Sequence, residues 1–122
     1  MPKAVSATEA EKFGDIVVPP GAEMLATTVL HGRDTLYEMA LRMSVRDVRR
    51  LLADSHFSEE LVDSSYGADR EVAAGPPLST AKHLRYAQDR IDNQQHVSVV
   101  REIFEDCRSP TEVYLHIFLF TT

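Results

Sequence analysis

The C-terminal segment Thr111 to Thr122 is apolar on both sides of an extended chain. Val113, Leu115, Ile117 and Leu119 fall on one face, and Tyr114, Phe118 and Phe120 on the other. Successive side chains of a strand point to opposite faces, so this segment leaves water only if it is covered twice. A chain of 122 residues supports one ordinary core and not two. Helices are expected to cover one face of its sheet, and the second face then has to meet a tail, a ligand or another chain.

Upstream, Ile16-Val17-Val18 is stopped by Pro19-Pro20-Gly21, which marks entry into the first regular element. Residues 22–31 are rich in Thr, Val and Leu, with Met24, Ala26, Thr28 and Leu30 at period two, and His31-Gly32-Arg33-Asp34 supplies a turn. The stretch 34–43 alternates again, with Tyr37, Met39, Leu41 and Met43 opposite Glu38 and Arg42. Their composition favours a helix, whereas the period favours a strand. Ser44 weighs for the strand, because it stands three residues before Asp47 as a helix N-cap does, and a helix that starts there did not start at Asp34. One long helix is the competing reading.

A helix is expected from Val45 to about Ser55, with Val45, Val48, Leu51 and Leu52 inward and Phe57 closing the core beyond it. Residues 64–78 are irregular, ending in Gly75-Pro76-Pro77. Ser79 or Thr80 is placed to cap a second helix carrying Ala81, Leu84, Ala87 and Ile91, on which Arg85 and Asp89 would pair at i,i+4. Residues 96–105 are β-branched and alternate, Val99, Arg101 and Ile103 against Val100, Glu102 and Phe104, before the turn at Asp106 to Pro110. The expected fold is α+β: an antiparallel sheet of about four strands in two hairpins, with one or two helices on one face, in the order β-β-α-(α)-β-β. Residues 1–13 are read as a flexible tail and residues 14–122 as one domain.

The succession Val18-Pro19-Pro20-Gly21, Leu36-Tyr37, Leu41-Arg42-Met43, the Ser44 to Leu52 segment and Pro110-Thr111-Glu112-Val113-Tyr114-Leu115 resembles small domains of high-GC bacteria, often the soluble part of lipoproteins. The resemblance implies topology and no activity, cofactor or functional residue. A lipidated leader is not expected here, because residues 1–12 carry no apolar h-region and no lipidation Cys.

Function is read mainly by subtraction. A net charge of −6 repels a phosphate backbone, and Arg49-Arg50 stands beside Asp47 and Asp54, so no nucleic acid is expected as a partner. No membrane-spanning or secretory segment is visible, and a cytoplasmic location is the expectation. Histidines 31, 56, 83, 96 and 116 lack zinc-motif spacing, and the five glycines are scattered singly, so neither a metal nor a cofactor is expected. Cys107 reads as a turn neighbour, without a base to activate it. The candidate binding residues are Phe104, Tyr114, His116, Phe118 and Phe120. They point first to a non-enzymatic protein-interaction domain, self-associating as a dimer through the C-terminal strand. The alternatives are a small enzyme or ligand-binding protein whose pocket holds His116, Tyr114 and Arg101, and an acidic immunity or inhibitor protein for a basic partner.

Overall fold

The doubly apolar segment becomes an interior strand. The computed structural model describes residues 2–121, and in it nine elements follow one another: β1 (Lys3–Ala4), α1 (Ala7–Gly14), β2 (Glu23–His31), β3 (Thr35–Met43), α2 (Val45–Asp54), β4 (Val62–Asp63), β5 (Leu84–Asp92), β6 (Ser98–Ser109) and β7 (Glu112–Phe120). All the strands join one antiparallel seven-stranded sheet in the order β1-β2-β3-β7-β6-β5-β4. Chain-terminal β7 therefore lies at the centre, between β3 and β6. The α+β class and the β2–β3 and β6–β7 hairpins match the sequence reading. The sheet is larger than four strands, because β1, β4 and β5 were not anticipated.

Three local expectations change. Of the segment 1–13 read as a tail, the described residues are held to the fold, since Lys3 and Ala4 pair with Val29 and Thr28, and Ser6 caps α1 by accepting from the Glu9 amide at 3.2 Å. Residues 84–92 form β5 and not a helix. Leu84, Ala87 and Gln88 favour a helix intrinsically, but β6 offers a full-length partner, and tertiary pairing overrides weak propensity. Arg85 and Asp89 accordingly do not pair with each other: Arg85 meets Glu105 at 2.6 Å, and Asp89 meets Arg101. In β2 a register shift between Met24 and Ala26 breaks the period, so that Thr27 and Val29 are the buried residues and Leu30 is exposed. By contrast, Ser44 caps α2 as expected, accepting from the Asp47 amide at 3.1 Å.

The register sorts the side chains into rows across the sheet. On one face run Tyr37, Leu119, Arg101 and Asp89, then Met39, Ile117, Ile103 and Ala87, then Leu41, Leu115, Glu105 and Arg85. Both helices cover this face, through Ala10 of α1 and Val48 and Leu51 of α2. On the other face run Leu36, Phe120 and Val100, then Glu38, Phe118, Glu102 and Gln88, then Ala40, His116, Phe104 and Tyr86, then Arg42, Tyr114, Asp106 and Leu84.

Arg101 ties the helix face together. Its side chain is 0% exposed and lies against Asp89, bonded through both carboxylate oxygens at 2.8 and 2.7 Å. The remaining donors reach the carbonyls of Gly14, Asp15, Ser55 and His56, which are the ends of α1 and α2. Asp15 (φ 50) and His56 (φ 51) adopt the left-handed conformation there, an arrangement that non-glycine residues accept only when their surroundings compensate. Asn93 adds a second tie, donating to the Phe13 carbonyl at 3.0 Å while its side-chain oxygen accepts from the Gln95 and Val97 amides. Among the described residues, no helix is long and apolar enough to cross a membrane.

Arg101→Ala is expected to cost about 3–5 kcal/mol, because it strands a buried carboxylate and deprives the carbonyls of their donors. Arg101→Met with Asp89→Leu should recover only part of that loss, since the carbonyls stay unpaired. Chemical denaturation of both variants measures it, and a cost under about 1 kcal/mol for Arg101→Ala would contradict this role.

Candidate functional site

The second face carries the candidate residues, and its cover comes from within the chain. Residues 64–83, between β4 and β5, cross the face as a strap that contains one 3-10 turn at Leu78–Thr80. Leu78 packs with Leu84, Phe104 and Phe118, and Ala68, Val72 and Ala81 join that cluster. Tyr66 lies edge-on to Tyr86, their ring centroids 4.9 Å apart. Gly67 sits so close to Phe104 that a Cβ there would fall 2.5 Å from the ring, and its φ of +73 also favours glycine.

The strap divides the candidate residues. Phe104 and His116 are fully covered, and Phe118 is nearly so. Tyr114 is half-buried beneath Gly75, and Phe120 is half-buried at the open end of the face. Arg101 lies on the opposite face, so it cannot join His116 and Tyr114 in one pocket. Its parity in β6 follows that of Ile103, away from Phe104.

His116 is 0% exposed, and neither ring nitrogen has a hydrogen-bond partner within the protein; Oδ1 of Asp106, on the same face, also has none. Burial pushes the His116 pKa down to about 4, against a partly offsetting attraction to Asp106. The other Asp106 oxygen is held by Arg108 at 2.8 Å, and Arg108 also reaches the Thr80 hydroxyl of the strap at 2.7 Å. Cys107 points to the helix face, where burial raises its thiol pKa, the opposite of nucleophilic activation.

Beyond the strap the face opens into a groove of about 570 Å³. Leu36, Phe118 and Phe120 give it apolar lining, and Asp34, Glu38, Glu71 and Glu102 surround them with carboxylates, against the single guanidinium of Arg70. Burial raises the Glu38 pKa, although the Ala73 amide donates to this carboxylate at 2.6 Å and Arg70 attracts it. Glu38 and Glu102 were placed on this face by strand period, but nothing in the sequence linked them to Phe118, and Arg70 lies in a stretch without period. A larger cleft of about 850 Å³ opens between the ends of α1 and α2, beside Lys12, Asp54, His56 and Asp92. Arg101 contributes to its lining, but the protein already engages that guanidinium with Asp89 and four carbonyls. Among the described residues, no group of three or more His, Cys, Asp or Glu is placed to hold a metal ion.

No family model matches the chain, and no curated protein or solved structure matches it.

A histidine whose folded pKa is depressed supports the fold only while it is neutral. As pH falls from about 6.5, the unfolded chain takes up the proton first, and stability drops until the pH passes below the folded value of about 4. A shift of that size is worth on the order of 3 kcal/mol. Denaturation of wild type and His116→Leu across this range should show the variant losing less stability on acidification. Parallel curves would contradict the buried neutral histidine.

Proposed function

We propose that this chain is a non-enzymatic protein-interaction domain that receives a cationic, apolar segment of a partner in the groove beside the strap. The observation that carries this reading is the acid-rimmed apolar lining: Leu36, Phe118 and Phe120, with Asp34, Glu38, Glu71 and Glu102 around them. An apolar side chain gains by leaving water against the rings, and flanking cations gain from the carboxylates. Glu38 gains in particular, because an approaching cation offsets the burial that raises its pKa. The net charge of −6 extends the same preference outward and steers basic surfaces toward the domain.

The reading keeps an interaction surface on the C-terminal strand and joins it to the expectation of an acidic protein for a basic partner. It assigns the groove to a different chain and not to a second copy, because a second copy brings the same net negative charge. A cytoplasmic setting is part of the proposal. The groove lining contains neither His nor Cys, which favours binding over catalysis.

The test is an amide-resolved NMR titration with a short peptide of alternating leucine and lysine. Shifts are expected at Leu36, Glu38, Glu71 and Phe120, weakening as salt is raised. The combined Asp34→Lys and Glu71→Lys variant should bind roughly ten-fold more weakly. Equal binding of a leucine–glutamate peptide, or shifts confined to the cleft around Lys12 and His56, would refute the proposal.

A further inference from the structure

The groove ends at a subsite that already holds a guanidinium. Arg70 of the strap lies 4.6 Å from the centroid of the Phe118 ring and 5.2 Å from that of Phe104. Its Nη1 donates to Glu102 Oε1 at 2.9 Å. Glu102 is a prepared acceptor, with its side chain only 4% exposed and its second oxygen held by the Tyr86 hydroxyl at 2.6 Å. The two rings stand nearly perpendicular, at 87°. Two ring contacts and a fixed carboxylate suit a planar cation that stacks while donating in its own plane, which arginine does and lysine does not.

The occupant is less firmly built in than the subsite. Phe104, Phe118 and Glu102 stand on interior strands of the sheet. Within residues 65–82, the backbone hydrogen bonds recorded outside regular elements are local, from Ala68 to Ser65, Arg70 to Gly67, Thr80 to Pro77 and Ala81 to Leu78. At the two ends of the strap the Ser64 amide donates to the Leu84 carbonyl and the Cys107 amide donates to the His83 carbonyl; between those ends its polar ties to β3 and β6 run through side chains: Arg70 to Glu102, Glu38 to the Ala73 amide, and Arg108 to Thr80. Arg70, Glu102 and Phe118 also line the groove, so its occupant and this subsite are contiguous.

We infer that Phe104, Phe118 and Glu102 form an arginine-binding subsite, which the strap fills with its own Arg70 until an arginine of the bound segment replaces it. The inference rests on the groove reading and adds both the residue recognised and its intramolecular competitor. A partner then binds with an affinity reduced by the fraction of molecules in which Arg70 holds the subsite.

Arg70→Ala tests this, with N-acetyl-arginine amide as the probe and N-acetyl-lysine amide as its counterpart, followed by NMR. The variant is expected to bind the arginine compound at least ~10-fold more tightly than wild type, with shifts at Glu102, Phe104 and Phe118, and to gain much less for lysine. Adding Glu102→Gln should abolish the gain. Equal affinity in wild type and variant, or an equal gain for lysine, overturns the inference. Should Arg70→Ala not fold, Arg70→Met keeps the apolar stem over the rings and takes its place. Loss of the fold in both variants also overturns the inference, because an exchangeable occupant cannot be required by the sheet. Titrating the leucine–lysine peptide on the same variants separates the two ideas. Peptide binding without an arginine gain leaves the groove and removes the subsite, whereas an arginine gain without peptide binding does the reverse.

Discussion

The fold depends on a buried guanidinium. Arg101 draws the carbonyls at the ends of α1 and α2 onto one side of β6 and is balanced by Asp89 across the strand pair. A charge taken out of water is tolerated only when every donor is used and a counter-charge is adjacent, and Arg101 meets both conditions. It brings together segments far apart in sequence and holds Asp15 and His56 in conformations they would otherwise avoid. Its guanidinium carbon lies 5.0 Å from the centroid of the Phe57 ring, so the apolar core and the polar tie meet at one residue.

That arrangement leaves the two faces of the sheet unlike each other. The helix face is closed by apolar packing and by hydrogen bonds from Arg101 and Asn93 to the main chain of the covering segments. The strap face is closed by a segment that backbone hydrogen bonds tie to the sheet at its two ends and side chains tie between them, and it covers His116 and Asp106 with unpaired polar atoms, as the helix face covers Thr27 and Glu105. The proposed function is placed on this second face because it combines aromatic surface, uneven charge and a cover of local structure.

Much of the sheet was legible because period and caps agree there. Tyr37, Met39, Leu41 and Met43 alternate as β3 requires, Ser44 caps α2, and the doubly apolar β7 takes the interior position that its two faces demand. β5 was hidden because Ala87, Gln88 and Arg90 carry a helix-forming composition, and its strand character comes from its pairing with β6. α1 was hidden because its inward contribution is small: Ala10 and Gly14 are its buried residues. The candidate site was half legible. Alternation placed Tyr114, His116, Phe118 and Phe120 on one side of β7 and Glu102 with Phe104 on one side of β6, and the β6–β7 register brings the two sets onto one face. Alternation carried no information about the strap, because residues 64–83 have no period, and their role follows from where the sheet brings Phe104 and Phe118.

Native-state hydrogen exchange of individual amides in dilute denaturant measures the difference between the two covers most directly. The account predicts that amides within residues 65–82 exchange through a local opening that depends weakly on denaturant, while those of β3, β6 and β7 exchange only with global unfolding. Strap amides protected to the same free energy and with the same denaturant dependence as β7 would show that the strap is an integral layer of the fold, and would contradict it.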